Sequence, residues 1–202
     1  MKKIPTLFVR EFDGKDVVRT LDKLSRPEFA CVLRGETIPT LKVDGSACAW
    51  FNGHFYKRYD NKKRKQVPDG SIPCETAPDP ITGHWPFWVP VHESEPGDKW
   101  FIEALERYML IYPVITNGTY EAIGKHFNGN PYIQNYDILT KHGADVLDLT
   151  DCSFDGIRHY LEEHNIEGIV FWKDGEPLCK IKRSDFGLPW PDDWSKYIKL
   201  PF

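Results

Sequence analysis

Lys42 stands where a lysine amine could serve as a nucleophile. It follows the strand-like run Ile38-Pro39-Thr40-Leu41 and precedes a turn that carries a carboxylate, Asp44, and a glycine, Gly45. An amine held at the end of a strand is suited to covalent catalysis once a neighbour activates it. A surface lysine before a turn is the ordinary alternative for this tetrapeptide, so other residues must decide between the two.

A second group of charged residues lies on a hairpin predicted to turn at Asp174-Gly175. Counting back from a two-residue turn pairs Glu167 with Lys182 and Ile169 with Lys180. Glu167, Lys180 and Lys182 are then predicted to share one face of the hairpin. The opposite face is predicted to pack on the core through Val170, Trp172, Cys179 and Ile181. A solvated cross-strand salt bridge is the alternative interpretation of the three charges.

A third candidate is Glu121, in a short predicted strand between Gly118 and Gly124. Glycines at both ends of a strand let a ligand approach the backbone closely. An exposed strand glutamate is the ordinary alternative.

Positive charge is concentrated between Lys57 and Lys65. This run holds six basic residues and one acid, a local charge of +5 in a chain of net charge −4. Such a run is either a solvated loop or an edge that follows a phosphate backbone. In the second case Lys57, Lys62, Lys63 and Arg64 are predicted to bind the phosphates of a nucleic acid.

The elements that must position these residues indicate an α+β fold. Asn52-Gly53 predicts a first hairpin over residues 46–59. Apolar stripes at helical spacing predict one helix after Asp98, which we expect to cap it, and another from Ser153 to His164. The stretch from Val67 to Pro96, rich in Pro and Gly, is interpreted as an ordered loop.

The composition of the 202 residues is that of an ordinary folded protein, with 41% hydrophobic and 28% charged residues. The negative net charge means that any nucleic-acid site must be local. Five cysteines without a C-x-x-C pair favour a reducing, cytoplasmic location, and neither a signal sequence nor a membrane span is recognised. The seven histidines lack zinc-ligand spacing and are interpreted as structural or surface residues.

In order along the chain, the candidate motifs resemble motifs I, III, IV and V of the covalent nucleotidyltransferases, the polynucleotide ligases and mRNA capping enzymes. The segments that carry this resemblance are Lys42-Val43-Asp44-Gly45, Tyr120-Glu121-Ala122-Ile123-Gly124, Glu167-Gly168-Ile169-Val170 and Lys180-Ile181-Lys182. Further segments resemble the RNA ligase family that has bacterial, phage and vertebrate members. These are Ile4-Pro5-Thr6-Leu7-Phe8, Pro80-Ile81-Thr82-Gly83-His84-Trp85, Gly129-Asn130-Pro131 and Lys182-Arg183-Ser184-Asp185-Phe186-Gly187-Leu188-Pro189-Trp190-Pro191.

The resemblance implies a single nucleotidyltransferase (adenylation) domain over residues 1–202, with antiparallel sheets packed with helices. It implies an ATP-dependent RNA ligase that joins a 5′-phosphate to a 3′-hydroxyl through a lysyl-AMP intermediate. Lys42 would be the nucleophile, oriented by Asp44, and Glu167 would bind Mg²⁺ or Mn²⁺. The nucleotide would be bound by Leu41, Arg58, Glu121, Lys180 and Lys182. The cations of Lys180, Lys182 and the metal would favour the neutral amine of the nucleophile.

The sequence also departs from the wider superfamily. DNA ligases carry an arginine five residues after the nucleophile, where this chain has Ala47. Only 20 residues follow Lys182, too few for an OB domain, so none is expected. The aromatic residue that stacks on the base is left open among Phe127, Tyr132 and Tyr136.

Two alternative functions remain open at the level of sequence. One is a self-adenylylating nucleotidyltransferase with an acceptor other than RNA, such as a protein. The other is a catalytically silent module that binds RNA ends. The oligomeric state, and whether DNA strands are accepted, stay undetermined.

Overall fold

The computed structural model describes residues 2–14, 16–62, 66–80 and 82–191. The predicted mixture of α and β structure is confirmed, with antiparallel sheets and few helices. The strands are β1 (Phe8–Asp13), β2 (Asp16–Leu24), β3 (Ile38–Leu41), β4 (Ser46–Phe51), β5 (His54–Asn61), β6 (Ile72–Pro73), β7 (Trp85–Pro90), β8 (Gly118–Ile123), β9 (Ile138–Lys141), β10 (Gly168–Lys173) and β11 (Glu176–Lys182). The α-helices are α1 (Ala30–Leu33), α2 (Lys99–Ile111) and α3 (Phe154–Glu163).

The chain divides into two compact units. The first comprises residues 1–3 and 44–142, and the second comprises residues 4–43 and 143–202. Nothing in this division tests the prediction of one nucleotidyltransferase domain or of a missing OB domain, and both stay predictions. In the described part of the chain, no helix is long and apolar enough to cross a membrane.

The first unit contains a six-stranded sheet in the order β6-β7-β5-β4-β8-β9. Its first hairpin is confirmed, because β4 and β5 pair from Phe51 and His54 outwards around Asn52-Gly53. The predicted loop over residues 67–96 contains the strand β7, which that interpretation missed. The prolines Pro86 and Pro90 made this segment look unlike a strand. Both lie near the ends of β7, and strand β6 pairs with Phe87 and Trp88 between them.

Helix α2 follows Asp98 as predicted, but the Asp98 side chain does not cap it. The buried Asp98 carboxylate instead accepts the His92 amide at 2.9 Å and pairs with Lys57. The core of the first unit forms where the apolar face of α2 meets the sheet, through Cys48, Phe55, Ala104, Tyr108, Tyr120, Ala122, Phe127 and Leu139.

The second unit contains the hairpin β1-β2 and a three-stranded sheet in the order β11-β10-β3. Helix α3 is confirmed within the predicted segment, and the Ser153 hydroxyl caps it by accepting the Gly156 amide at 3.0 Å. Its core comprises Leu7, Phe8, Phe29, Val32, Leu41, Leu149, Cys152, Ile157, Tyr160, Leu161, Ile166, Ile169, Phe171, Cys179 and Ile181.

Candidate active site

The structure divides the predicted site residues between the two units. Leu41, Lys42, Glu167, Lys180 and Lys182 belong to the second unit. Asp44, Arg58 and Glu121 belong to the first, together with Lys57 and Lys62 of the basic run.

The backbone of Lys42 is fixed at the end of β3. Its amide donates to the Gly168 carbonyl at 3.0 Å, and the preceding Leu41 amide donates to Asp145 at 2.8 Å. Leu41 pairs with Ile169 on β10, and its side chain is buried in the core of the second unit. Because the amides of both residues are hydrogen-bonded, the Lys42 side chain leaves a rigid strand end.

Glu167 brings two of the predicted lysines together. Its Oε2 accepts a hydrogen bond from Lys42 Nζ at 2.7 Å, and Lys182 Nζ lies 2.9 Å from its Oε1. The Glu167 side chain is 2% exposed, against 14% for Lys42 and 34% for Lys182. The contact of Lys182 with Oε1 is an ion pair without hydrogen-bond geometry, so Oε1 is buried without a hydrogen-bond donor among the described residues.

The predicted register of the second hairpin is wrong beyond its turn. Lys173 opposes Glu176 as expected, but a bulge at Leu178 shifts the pairing, so that Val170 opposes Lys180 and Gly168 opposes Lys182. The core face therefore carries Ile169, Phe171, Cys179 and Ile181, and the expectation that Val170 and Trp172 share this face is wrong.

The charges nevertheless meet, because Glu167 precedes the strand and Lys180 and Lys182 stay on one face of β11. Lys180 is held through its backbone by the N-terminal segment. Its amide donates to Pro5 at 2.9 Å, and its carbonyl accepts the Leu7 amide at 2.8 Å. Burial lowers the pKa of Lys180 to about 8, and the Lys42 and Lys182 cations contribute to this shift, against the opposing effect of Glu167.

In the first unit, Glu121 lies on β8 with a side chain that is 11% exposed. The alternative of an exposed strand glutamate is therefore wrong. Its Oε2 lies 2.7 Å from His142 Nε2, and His142 Nδ1 lies 3.0 Å from Thr119 Oγ1. The sequence interpretation missed His142 because it did not recognise β9, whose end places this residue beside β8. The run before it, Ile138-Leu139-Thr140-Lys141, was the available signal.

Asp44 is held by the loop that follows β8. Its carboxylate accepts the Asn128 side-chain amide, and its own amide donates to the Tyr132 hydroxyl. Gly45, next along the chain, approaches β8 closely. A Cβ at this position would lie 2.3 Å from the Ala122 carbonyl and 3.0 Å from Glu121 Cγ, so the motif requires glycine here.

The three candidate aromatics have different surroundings. Phe127 is buried and makes an edge contact with Phe101 at a centroid distance of 4.9 Å. Tyr132 is buried and bonded to Asp44, and the ring of Tyr136 lies 4.7 Å from the Arg107 guanidinium. These contacts do not single out a base-stacking residue.

The basic run also carries compensated charges. Arg58 Nε lies 3.2 Å from Asp60 Oδ1, and Lys57 pairs with the buried Asp98. Lys62 is exposed, whereas Lys63 and Arg64 lie outside the described residues. Binding of RNA by these residues, and of the nucleotide by Arg58, stays a prediction.

A metal ion fits the second unit in one respect. Glu167 Oε1 is a buried carboxylate oxygen without a hydrogen-bond donor among the described residues, and carboxylate oxygens are the ligands that Mg²⁺ and Mn²⁺ prefer. The Lys182 ammonium lies 2.9 Å from this oxygen, so a bound ion would have to displace that ammonium. Within the described ranges no three His, Cys, Asp or Glu side chains cluster as a preformed metal cage. This arrangement fits an ion bound by one carboxylate together with substrate phosphates and water.

Comparison with known proteins gives consistent matches. A family model described as RNA ligase 1 matches residues 103–201. RNA ligase 1 of Rattus norvegicus is 29% identical over 165 residues, which cover 67% of this chain and 47% of the rat protein. RNA ligase 1 of Mus musculus is 28% identical over the same proportions, and that of Pongo abelii is 26% identical over 64% of this chain and 47% of its own.

The chain thus spans about half the length of the curated relatives it matches. The segment matched by the family model contains Glu121, Glu167, Lys180 and Lys182. Together with the order of the motifs, these matches support an RNA ligase family for this chain.

Proposed function

We propose that this protein is an ATP-dependent RNA ligase that works through a lysyl-AMP intermediate. The observation that carries the proposal is the cluster in the second unit, where the side chains of Lys42 and Lys182 converge on the buried Glu167. The similarity to RNA ligase 1 supports the same function.

In the proposed first step, the neutral amine of Lys42 attacks the α-phosphorus of ATP. A nitrogen–phosphorus bond forms, the bond to the oxygen that bridges the α- and β-phosphates breaks, and pyrophosphate leaves. The AMP group then passes to an RNA 5′-phosphate, and a 3′-hydroxyl displaces AMP to form the phosphodiester bond. Each step is an in-line displacement at phosphorus, which depends on positioning and on neutralising the phosphate charge.

Glu167 positions the attacking nitrogen before reaction, because its hydrogen bond holds Nζ at 2.7 Å from a buried carboxylate. Binding of a triphosphate would add negative charge beside Lys180 and Lys182. Those lysines then stabilise the phosphate oxygens, and Lys42 transfers a proton to solvent water to react as the neutral amine. A divalent cation held by Glu167 would supply further charge neutralisation at the phosphates.

Lys180 suits the role of a phosphate ligand that responds to its substrate. Its pKa of about 8 reflects burial beside two cations. A bound phosphate anion opposes both effects and favours the protonated side chain. Nucleotide binding at a pH just above this pKa is therefore expected to take up a proton.

The resemblance also gives roles to residues of the first unit. We assign Glu121 to the ribose hydroxyls, Asp44 to the orientation of the nucleophile, and Arg58 to the nucleotide or the RNA 5′-phosphate. The basic residues Lys57, Lys62, Lys63 and Arg64 would follow the RNA backbone. The proposed acceptor is RNA with 5′-phosphate and 3′-hydroxyl ends.

The test is covalent labelling with α-labelled ATP and Mg²⁺ or Mn²⁺. The wild type should acquire an acid-labile label that survives a denaturing gel, and Lys42→Ala should acquire none. Lys173→Ala, a change of a lysine on β10, is the matched control and should be labelled normally. Absence of label on the wild type with both metals would overturn the proposed mechanism.

Joining is tested separately with 5′-phosphorylated RNA. Sealed RNA from the labelled wild type supports the ligase. Label without sealing would favour transfer of AMP to an acceptor other than RNA, and RNA binding without label would favour a silent end-binding module.

A further inference from the structure

Glu121 is held from two sides within the first unit. The His142 ring contacts its Oε2 at 2.7 Å, and Gly45 lies so near that a Cβ added there would be 3.0 Å from Glu121 Cγ. This arrangement fixes the carboxylate through one of its two oxygens. A carboxylate fixed through one oxygen can present the other to a ligand.

The contacts of His142 decide which ring nitrogen carries hydrogen. A carboxylate only accepts hydrogen bonds, so Nε2 donates to Glu121 Oε2. The opposite nitrogen, Nδ1, forms a hydrogen bond with the Thr119 hydroxyl at 3.0 Å. The backbone amide of His142 also donates to the Thr119 carbonyl at 3.1 Å, so His142 is anchored to β8 at two points.

We propose that His142 is a positioning residue that fixes Glu121 as the acceptor of the ribose hydroxyls and so sets the preference for ribonucleotides over deoxyribonucleotides. This inference rests on the proposed function, which assigns Glu121 to the ribose. A hydrogen bond from a ribose hydroxyl to a carboxylate distinguishes ribonucleotides from deoxyribonucleotides strongly only when the carboxylate is held in place. A carboxylate that is free to rotate can bind water when the hydroxyl is missing. The Thr119–His142–Glu121 chain provides that restraint.

Two substitutions separate positioning from a general structural role. The amide nitrogen of glutamine reaches about as far as Nε2, so His142→Gln keeps a donor for Glu121. The shorter asparagine places its nitrogen near Nδ1, so His142→Asn keeps a polar contact with Thr119 and removes the one with Glu121. Both variants remove the imidazole.

The experiment measures lysyl-AMP formation by the full chain with ATP, 2′-deoxyATP and 3′-deoxyATP. The selectivity is the kcat/KM for ATP divided by the kcat/KM for whichever deoxy analogue the wild type uses less well. We expect this selectivity to fall roughly tenfold in His142→Asn and to stay near the wild-type value in His142→Gln. Glu121→Ala should bring this kcat/KM ratio close to one. Thermal unfolding checks that each variant is folded.

An unchanged ratio in a folded, labelled His142→Asn variant would overturn this inference and leave the proposed function intact. Equal loss of rate with all three nucleotides, in both variants, would also overturn it, since that result indicates a structural role. If the wild type is never labelled, the proposed function fails first and this inference fails with it.

Discussion

Glu167 is a buried carboxylate that pairs with Lys42 and Lys182. A further lysine, Lys180, is close enough to interact electrostatically with these three side chains. Removing the carboxylate charge leaves these cations facing one another in a partly buried site. We therefore expect Glu167→Gln to lower the free energy of unfolding by about 2 kcal/mol. We also expect it to reduce lysyl-AMP formation by roughly 100-fold, because Lys42 loses its charged hydrogen-bond acceptor. Urea unfolding and labelling with ATP measure the two effects.

Glu36→Gln is the matched control for this substitution. Glu36 also contacts two cations, Arg34 and Lys173, but its side chain is 46% exposed. An exposed ion pair contributes little, so this variant should unfold and react like the wild type. Equal behaviour of the two variants would contradict the view that Glu167 organises the site.

At the scale of the element, the β10–β11 hairpin depends on a glycine at its base. A Cβ on Gly168 would lie 2.2 Å from the Ile181 carbonyl and 2.9 Å from Lys182 Cα, and both are backbone atoms that cannot move alone. Gly168→Ala should lower the free energy of unfolding by about 2 kcal/mol and displace Lys182 from Glu167. Chemical denaturation measures the first effect and the labelling rate measures the second.

Gly97 offers the control, since a Cβ there would meet no atom within 4 Å. Gly97→Ala should leave stability unchanged or raise it slightly, because alanine restricts the unfolded chain. A Gly168→Ala variant as stable as Gly97→Ala would show that the hairpin tolerates a wider separation of its strands.

Strand β11 also gives the protein a pH-dependent stability. The pKa of Lys180 is about 8 in the folded protein, against 10.5 for an unperturbed lysine. Between these values the unfolded chain binds more protons than the folded one, so the stability associated with Lys180 rises as the pH rises. We expect Lys180→Met to be more stable than the wild type at pH 7, by ~2 kcal/mol, and the difference to shrink towards pH ~10. Urea unfolding at several pH values checks this, and parallel curves for the two proteins would contradict it.

Local sequence signals predict some of the strands and helices, whereas other features depend on contacts between distant segments. Turn residues such as Asn52-Gly53, and the Ser153 cap with its helical periodicity, are local signals, and the elements that depend on them are confirmed. The bulge at Leu178 follows Pro177, and proline within a strand is typical of edges and bulges, but the sequence interpretation counted the register without it. The Glu121–His142 contact depends instead on pairing between β8 and β9.

At the scale of the whole molecule, the order of the motifs predicted an RNA ligase family, which the similar proteins support, although each motif alone is ambiguous. The structure brings Lys42, Glu167 and Lys182 together. The predicted register placed Glu167 opposite Lys182, a position that Gly168 takes in the structure, and it made no prediction for Lys42. The pairing of Lys57 with Asp98 was not predictable, because the buried position of Asp98 is set by the sheet and α2 together.

The protein has a net charge of −4, so lysyl-AMP formation and RNA sealing should depend differently on its local positive charges. Formation of lysyl-AMP depends on close contacts with one nucleotide, whereas sealing needs an RNA strand held against a protein that repels it overall. A triple substitution of Lys62, Lys63 and Arg64 by alanine should therefore weaken RNA binding and sealing while leaving the labelling rate with ATP unchanged.

The salt dependence of RNA binding counts the phosphates that the basic run neutralises. Removing one phosphate-binding side chain should reduce the slope of log K against log salt by about 0.7 for single-stranded RNA, so removing three should reduce it by about 2. Titrations of fluorescent RNA at several salt concentrations measure the slope.

The exposed Lys2 and Lys3, changed together to alanine, provide a control with two positive charges removed elsewhere. If that control lowers the slope as much as the triple substitution does, RNA responds to total charge and the basic run is not a site. A reduction confined to the triple variant assigns the run to the RNA backbone, because only a local contact releases its own counterions.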